Sequence, residues 1–166
     1  MLTTNGSGAL SWADDAGGSS GATDIDGLSD AKLGGTNFTN SMLLGHQTTG
    51  TLDDAQGNLG VGVGTLSSLT SGDYNTASGW NALYSTTTGV RNTASGVQAL
   101  YANTTGSQNN AYGMNTLRDN TTGSYNIAVG NAALYQNTTG DNNVAVGYSA
   151  MSVSYTHLTL PTSDLV

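Results

Sequence analysis

The chain has 166 residues with 24 Gly, one Pro and no Cys, and only 8% of it is charged, far below the roughly 25% of an average soluble domain. Its net charge of −8 comes from eleven Asp, with no Glu, against three basic residues, so the clustered Lys and Arg needed to hold a phosphate backbone are missing and nucleic acid is not an expected partner. No run of about 20 apolar residues occurs, so no membrane insertion is expected, and the lack of Cys excludes a disulfide scaffold.

Residues 1–40 are rich in Gly, Ser and Asp and read as a leader or linker. Within it, "NGSGALSW" predicts a turn followed by a short strand, and "ADDAGGSSGATD" a loop. Seven of the eleven Asp lie before residue 55, whereas residues 55–152 are close to neutral. A basic segment followed by an apolar one, the mark of a signal peptide, is not seen at the N-terminus.

From residue 41 to 152 the chain repeats. Gly72, Gly89, Gly106, Gly123 and Gly140 follow one another at steps of 17 residues. Asn75, Asn92, Asn109, Asn126 and Asn143 keep the same step, as do Gly79, Gly96, Gly113, Gly130 and Gly147. Between these columns runs Ala77, Ala94, Ala111, Ala128 and Ala145, and further on Leu83, Leu100, Leu117, Leu134 and Met151. The register extends back through Asn58, Gly60 and Leu66 to Leu43 and Gly45, giving about six coils.

Seventeen residues are too few for a helical repeat but suit one coil of an all-β solenoid. The first wall is Asn-x-Ala-x-Gly, with β-branched residues common at x. A second strand is expected around "AAL" or "QAL". "NTTG" makes a turn. Coils stacked about 4.8 Å apart would build ladders of like residues, with the Ala and Leu columns facing each other as the core. One Leu and one Ala per coil is thin against a backbone ordering cost of about 1–2 kcal/mol per residue, so lateral association, most simply as a symmetric oligomer, is expected. The "IAV" and "VAV" strands of the last coils would carry an apolar outer stripe that such association buries.

"SYNIAVGNAAL" and "DNNVAVGYSAM" resemble the head repeats of trimeric autotransporter adhesins (YadA-like heads), a repeat style also found in phage tail-fibre proteins. The resemblance covers roughly residues 41–152. It implies a left-handed parallel β-roll, a homotrimer, a place on a virion tail fibre or a cell surface, and attachment to a host glycan or protein receptor without catalysis or cofactor. The 17-residue unit is longer than the usual adhesin coil, so one turn must be enlarged. A bacterial adhesin head is the alternative. The tail "VSYTHLTLPTSDLV", 153–166, breaks every column and resembles a translated transposase-type sequencing adapter, which implies a non-native end.

Several patterns invite a chemical role. Asp24, Asp26 and Asp30 in "TDIDGLSD" faintly evoke a calcium loop, but the Glu that closes such loops is absent, so a solvated acidic turn is the simpler account. His46 has no Cys or Glu to join as ligand, and no metal site is expected. "GNLGVGVG" lacks the Lys and following helix of a phosphate loop. Asn37, Asn103, Asn120 and Asn137 form N-x-Thr sequons, three of them repeat turns. Tyr84, Tyr101 and Tyr135 could form an exposed stripe on which sugars stack, although packing between coils or chains is the simpler role. Thr104, Thr121 and Thr138 recur one coil apart as candidate surface contacts, and invite comparison with ice-binding solenoids. Their place beside Gly in turns, rather than in a strand, argues against ice.

Overall fold

The computed structural model describes residues 2–4, 10–12, 31–33, 38–39, 42–44 and 54–152. Among these it contains strands β1 (Leu2–Thr4), β2 (Leu10–Trp12), β3 (Ala31–Leu33), β4 (Phe38–Thr39), β5 (Met42–Leu44), β6 (Ala55–Gln56), β7 (Leu59–Val61), β8 (Thr76–Ser78), β9 (Thr93–Ser95), β10 (Asn110–Tyr112), β11 (Ile127–Val129) and β12 (Val144–Val146). The fold is an all-β solenoid. Its main sheet runs β12-β11-β10-β9-β8-β7-β5-β3. From β5 to β12 every pairing is parallel, each residue facing its equivalent 17 residues on, as in Ala94 with Ala111. The strands are only three residues long because a turn must follow within each short coil.

The expected calcium-like turn, His46, Asn37, the loop at 13–24 and the tail at 153–166 lie outside the described residues. The strand expected after "NGSG" is β2, which pairs antiparallel with β1. β3 lies antiparallel on β5 and ends the parallel ladder. The 17-residue step reaches further back than the sequence columns do, for β4 pairs in parallel with β6 and sets Phe38 against Ala55.

Alternation along the first wall turns one residue of each strand inward. Ala77, Ala94, Ala111, Ala128 and Ala145 are at most 3% exposed, as are Leu83, Leu100, Leu117 and Leu134 on the far side. Met151 departs from its column. It is 54% exposed, because it belongs to the last described coil and no described coil stacks on its outer side.

The second strand does not form. Around the Leu column, alternate residues adopt left-handed backbone, Asn81 at φ 55° and Leu83 at φ 51°, and a positive-φ pair recurs at the same two positions from Gly64 and Leu66 to Ser149 and Met151. That conformation costs a residue with a Cβ roughly 1–2 kcal/mol, yet it bends the wall back towards the sheet within a short coil. It also keeps the backbone paired between coils. Leu83 N–H donates to Ala99 O at 3.0 Å and Ser85 N–H to Tyr101 O at 3.1 Å.

The core is fuller than an Ala and a Leu column. A second small-residue column, Ala82, Ala99 and Ala133 with Thr65 and Thr116, is also buried. Two asparagine ladders complete it. In the first, running from Asn58 to Asn143, each Oδ1 accepts both the backbone N–H and the Nδ2 of the next Asn. Asn92 N–H reaches Asn75 Oδ1 at 3.0 Å and Asn92 Nδ2 reaches it at 3.1 Å, while Nδ2 also donates to Gly106 O at 2.9 Å. In the second, Asn120 Nδ2 donates to Asn103 Oδ1 and Asn137 Nδ2 to Asn120 Oδ1, each at 2.9 Å. Buried amides satisfied this fully stabilise the stack rather than burden it.

Candidate interaction surfaces

The recurring tyrosines project beside the Leu column, half-buried. Tyr84 and Tyr101 stack with ring centroids 5.2 Å apart and planes 15° from parallel. In the next coil Arg118 takes the column, and its guanidinium lies 5.5 Å from the ring centroids of both Tyr101 and Tyr135. The rings therefore turn their faces along the rod, against neighbouring coils, and their edges outward. A sugar stacks on a face, and both faces of Tyr101 are covered, so this column packs coil on coil instead of forming a stacking stripe. Arg118 also pairs with Asp119 at 2.7 Å, with both side chains about one third exposed. An exposed pair contributes little. Arg118→Ala is thus expected to cost only about 0.5–1 kcal/mol, mostly through the lost ring contacts. A thermal melt followed by circular dichroism would measure it.

The threonine corner resolves into two columns. Thr104 and Thr121 turn their hydroxyls inward along the rod, each Oγ1 donating to the carbonyl of the next Thr, Thr121 or Thr138, at 3.0 Å. Their hydroxyls hold the turns in register and are not offered to a ligand. The neighbouring column, Thr88, Thr105, Thr122 and Thr139, is exposed throughout, as is Thr138 at the end of the first column. Asn103, Asn120 and Asn137 of the same turns are buried. Their sequons are consequently closed to glycosylation in the folded chain, and they do not decorate the surface as turn residues commonly do.

The Gly-rich "GNLGVGVG" forms the wall β7 of one coil and the turns on either side of it. Gly60 sits in β7, where a Cβ would collide with Leu43 and Thr65, and Gly62 turns at φ 132°. Among the described residues no three His, Cys, Asp or Glu side chains gather where they could hold a metal ion. No described helix is long and apolar enough to cross a membrane.

What stands out is the outer face of the parallel sheet. Its two outward columns run Leu59, Thr76, Thr93, Asn110, Ile127, Val144 and Val61, Ser78, Ser95, Tyr112, Val129, Val146, all exposed except the half-buried Thr93 and Asn110. Not one of these positions carries a charge. Exposure is greatest at the far end, 71% at Val146. Each wall is bounded by two left-handed corners, at Tyr74 before it (φ 57°) and Gly79 after it (φ 126°). Two ridges flank the wall. The trailing ridge, just beyond its corner, includes exposed Trp80, Val97, Met114 and Tyr148, and the leading ridge is the corner column itself, with Tyr74, Arg91 and Tyr125 exposed and Gln108 half-buried. Sequence columns pointed to the "IAV" stripe. The ridges were missed because their residues vary from coil to coil, and only their shared exposure unites them.

Neither a family model, nor a curated protein, nor a solved structure matches this chain.

Proposed function

We propose that the chain is a segment of a fibrous attachment protein, a stiff rod that associates laterally as a homotrimer and displays its repeated outer corners to a host surface. The observation that carries this reading is the charge-free sheet face with its two ridges. Leu59, Val61, Tyr112, Ile127, Val129, Val144 and Val146 all stand exposed on that one face, and exposed apolar side chains gathered on one surface mark an interaction site. A second copy is the occupant that a repeated, uncharged face suits best. The role is geometric: backbone bonds between every pair of coils make the rod stiff, and three rods together multiply weak contacts with a glycan or protein receptor. Its place would be a virion tail fibre or a cell surface, with a bacterial adhesin head as the alternative.

The test is binding of the labelled full chain to arrayed surface glycans and to intact cells. Ile127→Asp with Val144→Asp puts charge on the wall and should separate the chains. Apparent affinity should then fall about a hundredfold or more, as lost multivalency requires. Binding that is equally tight in both forms would contradict display by an oligomer, and absence of any binding by the parent chain would contradict attachment.

A further inference from the structure

We infer that the open edge at β12 is a strand-docking site: it takes a peptide segment of the form Asn-x-Ala-x-Gly, laid parallel as one further coil. The site is distinct from the outer face of the sheet and does not depend on lateral association.

The two ends of the main sheet differ. At one end β3 lies antiparallel on β5 and brings Lys32 into the edge strand. A Lys in an edge strand is one way proteins blunt an edge against further pairing. At the other end the sheet stops, among the described residues, at β12, a Val-Ala-Val strand with no charge and no Pro. Val144 is 64% and Val146 71% exposed, against 43% for Ile127 and 38% for Val129 in the same columns one coil earlier. An unpaired, uncharged edge is a template for another strand.

The contact between coils, repeated along the rod, says which strand fits. Ile127 N–H donates to Asn143 O and Gly147 N–H to Val129 O, each at 2.8 Å. Asn143 N–H and Nδ2 donate to Asn126 Oδ1 at 3.0 Å and 2.9 Å. The corresponding groups of the last coil are Val144 N–H, Val146 O and Asn143 Oδ1, and no further coil meets them among the described residues. Any backbone could pair with the first two. Asn143 Oδ1 is set to accept a backbone N–H and a side-chain amide from one residue, which selects Asn. Two residues on, the position above Ala145 points into the core column of Ala77 to Ala145. Two further on, the chain must turn at positive φ, as at Gly130 and Gly147, which selects Gly.

Seventeen residues after Asn143, Ala145 and Gly147 stand Leu160, Thr162 and Asp164, so the pattern is not repeated there. A second copy cannot stack its first end on β12 in this way, because β3 and not an Asn-x-Ala-x-Gly strand forms that edge. The occupant is therefore a repeat segment supplied by another polypeptide.

Gly147 gives a means of closing the site. A Cβ on Gly79 would lie 2.7 Å from the carbonyl oxygen of Gly96, and one on Gly113 2.6 Å from that of Gly130. This Cβ thus points at the following coil. On Gly147 it would meet only Ala150 among the described residues, at 3.8 Å. Gly147→Ala therefore obstructs an incoming coil and spares the chain's own stack.

The probe is a fluorescein-labelled synthetic peptide with the sequence of residues 124–140, SYNIAVGNAALYQNTTG, titrated with the full chain and followed by fluorescence anisotropy. Binding should saturate at one peptide per chain. Gly147→Ala, its fold checked by circular dichroism, should weaken it about a hundredfold, as loss of two or more edge hydrogen bonds requires. A peptide carrying Asn126→Asp leaves the protein untouched, lacks the side-chain donor and sets a carboxylate against Asn143 Oδ1. It should bind about tenfold more weakly or worse. Equal binding by parent and Gly147→Ala, or by the two peptides, would overturn the inference. No binding at millimolar peptide would overturn it too, since the edge would then be closed, by residues 153–166 or by a second copy.

Discussion

Gly113→Ala is expected to destabilise the solenoid by about 3–5 kcal/mol, a loss reserved for substitutions that break a specific feature of the fold. Gly113 turns the chain out of the wall at φ 132°. A Cβ there would lie 2.6 Å from the carbonyl oxygen of Gly130 and 2.7 Å from its carbon. Both atoms are backbone, so neither can swing aside. To admit the methyl group, the two coils would have to part, at the expense of the bond between them from Gly130 N–H to Tyr112 O, 2.8 Å. In a stack where each coil touches only its neighbours, one failed contact divides the rod. Gly147→Ala is the internal control. It has the same kind of backbone, φ 131°, but among the described residues its Cβ would meet nothing nearer than Ala150 at 3.8 Å. Its cost should be only the conformational one, about 1 kcal/mol. Equal thermal midpoints for the two variants would show that stacking of the Gly column does not hold the coils together.

Asn109→Ala should cost about 3 kcal/mol, and Asn109→Asp more. Asn109 Oδ1 accepts both the backbone N–H and the Nδ2 of Asn126 at 3.0 Å, and its Nδ2 donates to Asn92 Oδ1 at 3.2 Å and to Gly123 O at 2.8 Å. Alanine removes all four bonds and leaves the Asn126 N–H buried without an acceptor, a penalty of about 1–3 kcal/mol for that group alone. Loss of the packed amide adds a cavity. Aspartate keeps the acceptor but buries a charge beside the Gly123 carbonyl, which costs more than an unpaired neutral group. Leucine of similar size should fail too, since the neighbouring amides would still lose their partners. Urea midpoints with an unchanged slope would report these losses as stability. A midpoint for Asn109→Ala within about 0.5 kcal/mol of the parent, the range of an ordinary surface substitution, would mean that the ladder is dispensable.

Much of the fold was legible because a stacked coil writes its register into the sequence. Ala77 faces Ala94 in space because it precedes it by one period, so the columns could be counted before any strand was placed. The first wall could be read from alternation, since a β-branched residue flanks Ala77, Ala94, Ala128 and Ala145. The second wall could not. Left-handed Leu is disfavoured in isolation, and it is tolerated here only because every coil repeats it and the coils bond to one another. The asparagines carried a readable signal that turn chemistry obscured. A residue serving only a surface turn would trade freely with Asp, Ser or Gly. Asn58, Asn75, Asn92, Asn109, Asn126 and Asn143 never do. Likewise Leu69 occupies the column of Asn103 in an earlier coil, and an apolar residue there marks the position as inward. Tyr84 and Tyr101 were found as a column, but period alone could not tell that their faces point along the rod. That direction supports packing, already the simpler role, over recognition.

The proposed lateral association through the uncharged wall is tested most directly by the mass of the full chain in solution. Light scattering should give about 50 kDa, three times the 16.7 kDa of one chain, as the proposed homotrimer requires. A folded, stable species of 16.7 kDa would contradict it, because the apolar face would then stand in water and the coils alone would hold the fold.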